Sequence, residues 1–261
     1  MKKGKKLYEG KAKIIYATND KNLVIQYFKD DATAFNNQKK TTIEGKGVLN
    51  NRISEHILSN LSEVGIKNHL VKRINMREQL VKLVDIIPIE FIVRNIATGS
   101  LTKRLGIEEG TVLERPLIEY CLKDDKLGDP IISREHILTF NWLNVIQLDW
   151  IDENLSRLND FLLGMFRGVG IKLVDFKVEF GFTHESEKTQ IILADEISPD
   201  TCRLWDILTD KKLDKDRFRK DLGDIIPAYT EVAKRLGILH EQSNVSAVNV
   251  TQLSSVKRKK K

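Results

Sequence analysis

Leu173-Val174-Asp175-Phe176-Lys177-Val178-Glu179-Phe180-Gly181 alternates apolar with charged residues over most of its length. Successive strand residues point to opposite faces, so the stretch predicts a β-strand with Val174, Phe176, Val178 and Phe180 on one side and Asp175, Lys177 and Glu179 on the other. One face belongs to a core, and the other is a row of charge. On an ordinary antiparallel strand such a row is simply solvated. The next strand-like run, Gln190 to Ile197, favours a different reading, because it follows the polar connection Thr183 to Thr189 and carries Asp195 near its end. A hairpin between the two runs brings Glu179 close to Asp195. Facing carboxylates repel unless a cation lies between them, and magnesium takes one or two carboxylates while completing its shell with phosphate oxygens and water.

Working outward, Leu7 to Phe28 predicts short strands with a turn at Asn19-Asp20-Lys21-Asn22. Asp30 to Lys46 is polar and is expected to be a loop that closes over substrates. Leu49, Ile53, Ile57, Leu61 and Val64 recur at helical spacing, with Gly65 placed to end that helix. Strand-like runs follow at Leu70 to Ile74, Leu80 to Val84 and Ile86 to Ile96, where Pro88 signals an edge or a bulge. Glu109 to Pro130 reads as a loop-rich middle. Ile151, Leu155, Leu158, Leu162 and Met165 mark a longer helix, and Phe218, Leu222, Ile225, Tyr229, Val232 and Leu236 a last one, capped by Asp214 or Asp216 and ended by Gly237. Strands grouped with strands favour an α+β fold. The expected division is an N-terminal α+β portion over residues 1–84, a C-terminal α+β portion over 85–239, and a polar, basic tail over 240–261.

The 261 residues, 41% of them hydrophobic, suffice for a sizeable core. No apolar run approaches the roughly 20 residues that span a bilayer, and Met1 to Lys6 lead into patterned sequence without an apolar signal core. A cytoplasmic protein with no membrane partner is expected, with Cys121 and Cys202 as reduced bystanders. The net charge of +6 owes five charges to Lys257-Arg258-Lys259-Lys260-Lys261, leaving 38 basic against 37 acidic residues. A near-neutral body with a short basic tail argues against nucleic acid as a partner.

Three further segments carry chemistry. Tyr8-Glu9-Gly10-Lys11-Ala12-Lys13 sets a glycine before two lysines on one face, a pattern that suits phosphate but also an ordinary turn with exposed lysines. Arg94 ends an apolar run just before Gly99-Ser100, where its donor fork suits a phosphate monoester and a structural ion pair is the alternative. Ser198-Pro199-Asp200-Thr201-Cys202-Arg203-Leu204-Trp205-Asp206 adds another carboxylate and arginine in turn-forming sequence.

Together these segments resemble the SAICAR synthases. The similarity runs from Lys6-Leu7-Tyr8-Glu9-Gly10-Lys11-Ala12-Lys13 through Gly45-Lys46-Gly47, Val93-Arg94-Asn95 and Gly99-Ser100-Leu101. It continues through Val174 to Gly181, Asp195-Glu196-Ile197-Ser198-Pro199-Asp200 and Arg203-Leu204-Trp205-Asp206 to Asp216-Arg217-Phe218-Arg219, about residues 6 to 238. The resemblance implies two α+β portions holding ATP between them, related to ATP-grasp and kinase-like architectures. It implies a phosphate-covering hairpin at Gly10, Lys11, Ala12 and Lys13, and adenine contacts from Val81, Lys82 and Leu83. Glu179 and Asp195 become magnesium ligands with Lys177 beside the nucleotide, Arg94, Ser100 and Arg203 bind a ribose phosphate, and Asp200 a polar part of the same substrate. The implied activity is an ATP-dependent carbon–nitrogen ligation of L-aspartate to 5-amino-1-(5-phospho-D-ribosyl)imidazole-4-carboxylate (CAIR) in purine synthesis, through an acyl phosphate, by a homodimer. Lys11, Lys13 and Lys177 would offset the charge that builds up during the reaction.

Gln242 to Lys261 extends past the family pattern, as an expression remnant, an incidental tail or a functional one. The rival activities are a small-molecule kinase, which would use the same lysines, acids and magnesium, and a nucleic-acid-binding module acting through the tail. Asp129, before Pro130, is either a participant or a turn residue.

Overall fold

The computed structural model describes residues 2–34, 39–183 and 189–239. The first half builds β1 (Lys6–Glu9), β2 (Lys13–Ala17), β3 (Leu23–Phe28), β4 (Asp31–Ala34), β5 (Lys39–Thr42), α1 (Lys46–Glu63), β6 (Leu70–Arg73) and β7 (Glu78–Lys82). Five of these strands form one antiparallel sheet in the order β1-β2-β3-β7-β6. The segment expected to be a loop is instead partly a hairpin, with Asp31 opposite Thr42 and Ala34 opposite Lys39. Its polar composition hid it, since a two-stranded ribbon away from the core has no apolar face to produce alternation. Residues 35–38 of that expected loop lie outside the described ones.

The second half builds β8 (Asp85–Ile96), α2 (Ser100–Leu105), β9 (Val112–Leu122), β10 (Ile131–Ile132), α3 (Arg134–Thr139), α4 (Val145–Gly168), β11 (Ile171–Thr183), β12 (Gln190–Ala194), β13 (Cys202–Asp206), α5 (Asp216–Arg219) and α6 (Ile225–Arg235). Its sheet runs β10-β9-β8-β11-β12, with β13 paired to the first part of β11. The expectation of loop over Glu109 to Pro130 fails here, because β9 occupies eleven of those residues. Glu114, Arg115 and Pro116 lie on its exposed first half and erase the apolar pattern. Beside Pro88 the β8–β11 register slips between Glu179 and Gly181, the bulge that proline required.

One hydrophobic core ties the halves together. The α1 stripe of Leu49, Ile53, Ile57 and Leu61 packs into the same cluster as Leu155, Leu158 and Leu162 of α4, Phe91 of β8 and Val232 of α6. Gly65, at φ +79°, ends α1 as expected. Gly47 allows α1 to start against β3, where a Cβ would come within 2.5 Å of the Phe28 carbonyl oxygen. The single last helix expected from periodicity is broken: Asp221 and Gly223 take positive φ, and α6 starts after Asp224. Asp214 is not its cap but accepts the backbone N–H groups of Leu204 and Asp216 at 2.8 and 2.7 Å.

Strand β11 departs from its expected alternation at one point. Leu173 faces Leu204 and Asp175 faces Arg203, so Val174 is an inserted residue. It therefore packs in a small cluster with Ile96 and Trp205 instead of joining Phe176, Val178 and Phe180 in the main core. Among the described residues no helix is long and apolar enough to cross a membrane.

Candidate active site

A cavity of about 710 Å³ receives residues of both sheets. The β1–β2 turn contributes Gly10, Lys11, Ala12 and Lys13, and the end of β7 and the residue after it contribute Val81, Lys82 and Leu83. From the other side come Lys177 and Glu179 of β11, Asp195 just past β12, and Asp200. Eleven of the fourteen residues singled out from the sequence thus line one space.

Glu179 pairs in register with Ala194, one residue before Asp195, so the predicted hairpin forms. The two carboxylates differ in their surroundings. Burial, then the charge of Asp195, raises the Glu179 carboxyl above its ordinary value, although Lys123 Nζ lies 2.5 Å from its Oε2. Burial also works to raise Asp195, but Lys13, which is hydrogen-bonded to it, and Lys123 and Lys177 outweigh that and hold it below. Lys13 also meets Glu196 at 3.0 Å, and Lys177 meets Glu90 at 2.5 Å. Both lysines stay charged against burial because of these acids.

Asp200 is gripped from two sides. Lys46 Nζ lies 2.6 Å from Oδ2, and the Tyr229 hydroxyl donates to Oδ1 at 2.5 Å. Burial opposes its ionisation, but Lys46, Lys215 and the Tyr229 hydrogen bond prevail and keep the carboxyl well below the carboxylate range.

Arg94, Ser100 and Arg203 do not line the cavity but form a polar cluster of their own. Arg94 is 2% exposed and donates to Glu119 at 2.7 Å, to Asp175 at 2.9 Å and to Ser100 Oγ at 3.1 Å. Arg203 shares the Asp175 oxygen at 2.7 Å and reaches Asp216 at 3.0 Å. The ion-pair alternative for Arg94 is thus realised. Sequence reasoning gave no role to Tyr229, Lys46, His69, Glu90 or Lys123. Lys46 stood in a glycine-flanked triplet, which was the available signal; Lys123 lay in the stretch misread as loop. Asp129, at φ +50°, both turns the chain and lines the cavity.

Comparison with known proteins adds a family to this geometry. The SAICAR synthetase family model matches residues 6–236. The chain belongs to the SAICAR synthetase family. A phosphoribosylaminoimidazole-succinocarboxamide synthase of Pelagibacter ubique (strain HTCC1062) is 79% identical over 260 residues, which cover 100% of each chain. That alignment includes the segment past residue 236, so the C-terminal stretch has a counterpart in this SAICAR synthetase relative. The crystal structure of phosphoribosylaminoimidazole-succinocarboxamide synthase from Ehrlichia chaffeensis matches with a TM-score of 0.89 at 51% identity, over 91% of this chain and 100% of that one. A SAICAR synthetase solved in complex with ADP matches with a TM-score of 0.84 at 43% identity, over 88% of this chain and 96% of that one. The α+β SAICAR synthase fold expected from the sequence is the observed one.

Proposed function

We propose that this chain condenses L-aspartate with the carboxylate of CAIR, giving SAICAR, ADP and phosphate in the cavity between its two sheets. Its class, an ATP-dependent ligase of purine biosynthesis, follows from membership of the family. The observation that carries the substrate reading is the convergence of Lys13, Lys177, Glu179 and Asp195 on the cavity beside the Gly10 turn. The relative solved in complex with ADP supports nucleotide use by this chain.

A carboxylate resists attack by an amine because oxide is a poor leaving group. Transfer of the ATP γ-phosphoryl to the CAIR carboxylate makes an acyl phosphate, and the aspartate α-amine then displaces phosphate. Lys11, Lys13 and Lys177 offset the negative charge on the phosphates, the β1–β2 turn covers them, and Val81 to Leu83 flank the adenine. Arg94, Ser100 and Arg203 are read as the ribose-phosphate side and Asp200 as a polar contact to the same substrate. The portions 1–84 and 85–239 then serve as the two walls of the nucleotide cleft.

Magnesium fits the residues present. Among the described residues no group of three or more acidic, histidine or cysteine side chains is gathered for a metal. Two carboxylates are what this ion takes from a protein when phosphates supply the rest, and the raised Glu179 beside Asp195 is the like-charge conflict it relieves. Bound there, magnesium would neutralise phosphate oxygens and draw electron density from them. A cytoplasmic homodimer completes the reading. The unpaired, buried thiols Cys121 and Cys202 agree with a reducing compartment, and the exposed apolar side chains Phe140 and Ile146 are available to a second subunit.

Product analysis separates the ligase from the kinase alternative. With ATP, magnesium and CAIR, the expected result is ADP, free phosphate and an amide only when L-aspartate is added; a stable phosphorylated product formed without aspartate would establish the kinase instead.

A further inference from the structure

We propose that Tyr229 is a positioning residue for the imidazole substrate: from behind the cavity its hydroxyl fixes the plane of the Asp200 carboxylate, so that the remaining acceptor sites of that carboxylate are presented to CAIR. The proposal rests on the reading of Asp200 as a polar contact to that substrate.

Asp200 lines the cavity together with Thr201, Lys215 and Arg219, whereas neither Tyr229 nor Lys46 does. The backbone around Asp200 is already fixed. The Thr201 and Cys202 N–H groups donate to the Ser198 carbonyl at 3.0 and 2.8 Å, and the Lys215 N–H donates to the Pro199 carbonyl at 3.1 Å. The Asp200 N–H itself donates to Ser198 Oγ at 3.1 Å. What the turn leaves open is rotation of the side chain. A single donor would let the carboxylate swivel about its bond to Cβ. Two donors on different oxygens, Lys46 Nζ on Oδ2 and the Tyr229 hydroxyl on Oδ1, stop that rotation. An ionised carboxylate has about four acceptor sites, so about two remain for a ligand.

Charge and orientation are divided between the two partners. Lys46 is the first residue of α1, the end of a helix that disfavours a cation, and it is 1% exposed. Its ion pair with Asp200 offsets both costs. Tyr229 adds no charge. Burial, then the charge of Asp200, raises its phenol well above the ordinary value, so the hydroxyl keeps its proton and donates. A phenylalanine would fill the same place in the core with Ala228, Val232 and Ala233. What it would lack is the bond to Asp200.

Tyr229→Phe therefore removes the orienting donor while Lys46 keeps the carboxylate ionised. Calorimetric titration of the whole chain with CAIR and, separately, with ADP is the first readout, and KM from initial rates the second. We expect Tyr229→Phe to weaken CAIR binding and raise KM for CAIR about tenfold, the scale of a hydrogen bond to a charged group, with ADP binding and KM for ATP within about twofold of the parent. A hydroxyl that served packing alone would lower the thermal midpoint without changing CAIR binding relative to ADP. That result, or equal weakening of both ligands, would overturn the proposal. Asp200→Asn tests the underlying reading and should weaken CAIR binding at least as much as Tyr229→Phe does. Weakened binding in Asp200→Asn with unchanged binding in Tyr229→Phe would remove the positioning role alone. Unchanged CAIR binding in Asp200→Asn would remove Asp200 as a substrate contact, and the proposal with it.

Discussion

Tyr229 and Lys46 hold opposite oxygens of one buried carboxylate: the phenol donates to Asp200 Oδ1 at 2.5 Å and the ammonium meets Oδ2 at 2.6 Å. Lys46 is 1% and Tyr229 0% exposed, so neither bond competes with water. Removing one member of a buried pair strands the other charge. Lys46→Met is therefore expected to lower unfolding free energy by about 3–5 kcal/mol in urea titration. Lys46→Met with Asp200→Asn should regain much of that loss, since the stranded charge is gone. Tyr229→Phe should cost only about 1 kcal/mol. A Lys46→Met variant as stable as the parent would mean that Asp200 does not depend on this lysine.

The Glu179–Asp195 pair sets function against stability. Glu179 is 7% exposed, and burial and a like charge both oppose its ionisation. Glu179→Gln should leave the ligand-free thermal midpoint equal to or above that of the parent, because the relieved cost outweighs a pair with the partly exposed Lys123. Its kcat should fall by about a hundredfold or more if the carboxylate serves the metal and phosphates. Asp195→Asn should lose turnover on the same scale. Near-normal turnover in either variant removes the metal assignment.

How far these features could be read from the chain depends on which way each side chain faces. The alternation in Phe176 to Phe180 reports a strand with one face in the core, so β11 and its charged row were legible, and with them the meeting of residues 179 and 195. The α1 and α4 stripes were legible for the same reason. Val174 broke the rule because an inserted residue shifts the phase by one, and nothing local announces an insertion. The β9 strand was hidden by its exposed half, and the helix break by glycine and aspartate at positive φ inside an otherwise continuous apolar period. Tyr229 looked like one more member of a helical stripe. Its role comes from a partner 29 positions away, which periodicity does not report.

Arg94 tests whether the polar cluster is scaffold, site or both. Its guanidinium spans Glu119 and Asp175 with three different nitrogens engaged, and a lysine ammonium cannot bridge that geometry. Arg94→Lys is expected to destabilise the protein by about 3 kcal/mol, within the range for breaking a buried pair. Ser100→Ala removes only the hydroxyl at 3.1 Å and should shift stability by less than about 1 kcal/mol. If Ser100 also receives the ribose phosphate, the same variant should raise KM for CAIR about tenfold with ATP KM unchanged, as measured by initial rates. Unchanged CAIR KM would leave Ser100 as scaffold alone.

Acid should unfasten the last turn of the second sheet from α6. Asp206 Oδ1 accepts the Leu208 and Thr209 N–H groups at 3.1 and 2.8 Å and the Thr209 hydroxyl at 2.7 Å. Its other oxygen meets Arg235 at 2.8 Å. The Thr209 hydrogen bond, then the Arg235 one, lowers the carboxyl from 3.8 to about 2. A folded value below the unfolded one means that the unfolded chain binds the proton first. The Asp206 contribution is therefore fully present above the unfolded value of 3.8 and is lost as pH falls toward about 2. Thermal midpoints of parent and Asp206→Asn, compared between about pH 6 and pH 2, should differ by a constant amount above about pH 5 and converge below about pH 4. A difference that persisted unchanged to the acid end would mean that the turn and Arg235 do not prefer the ionised form.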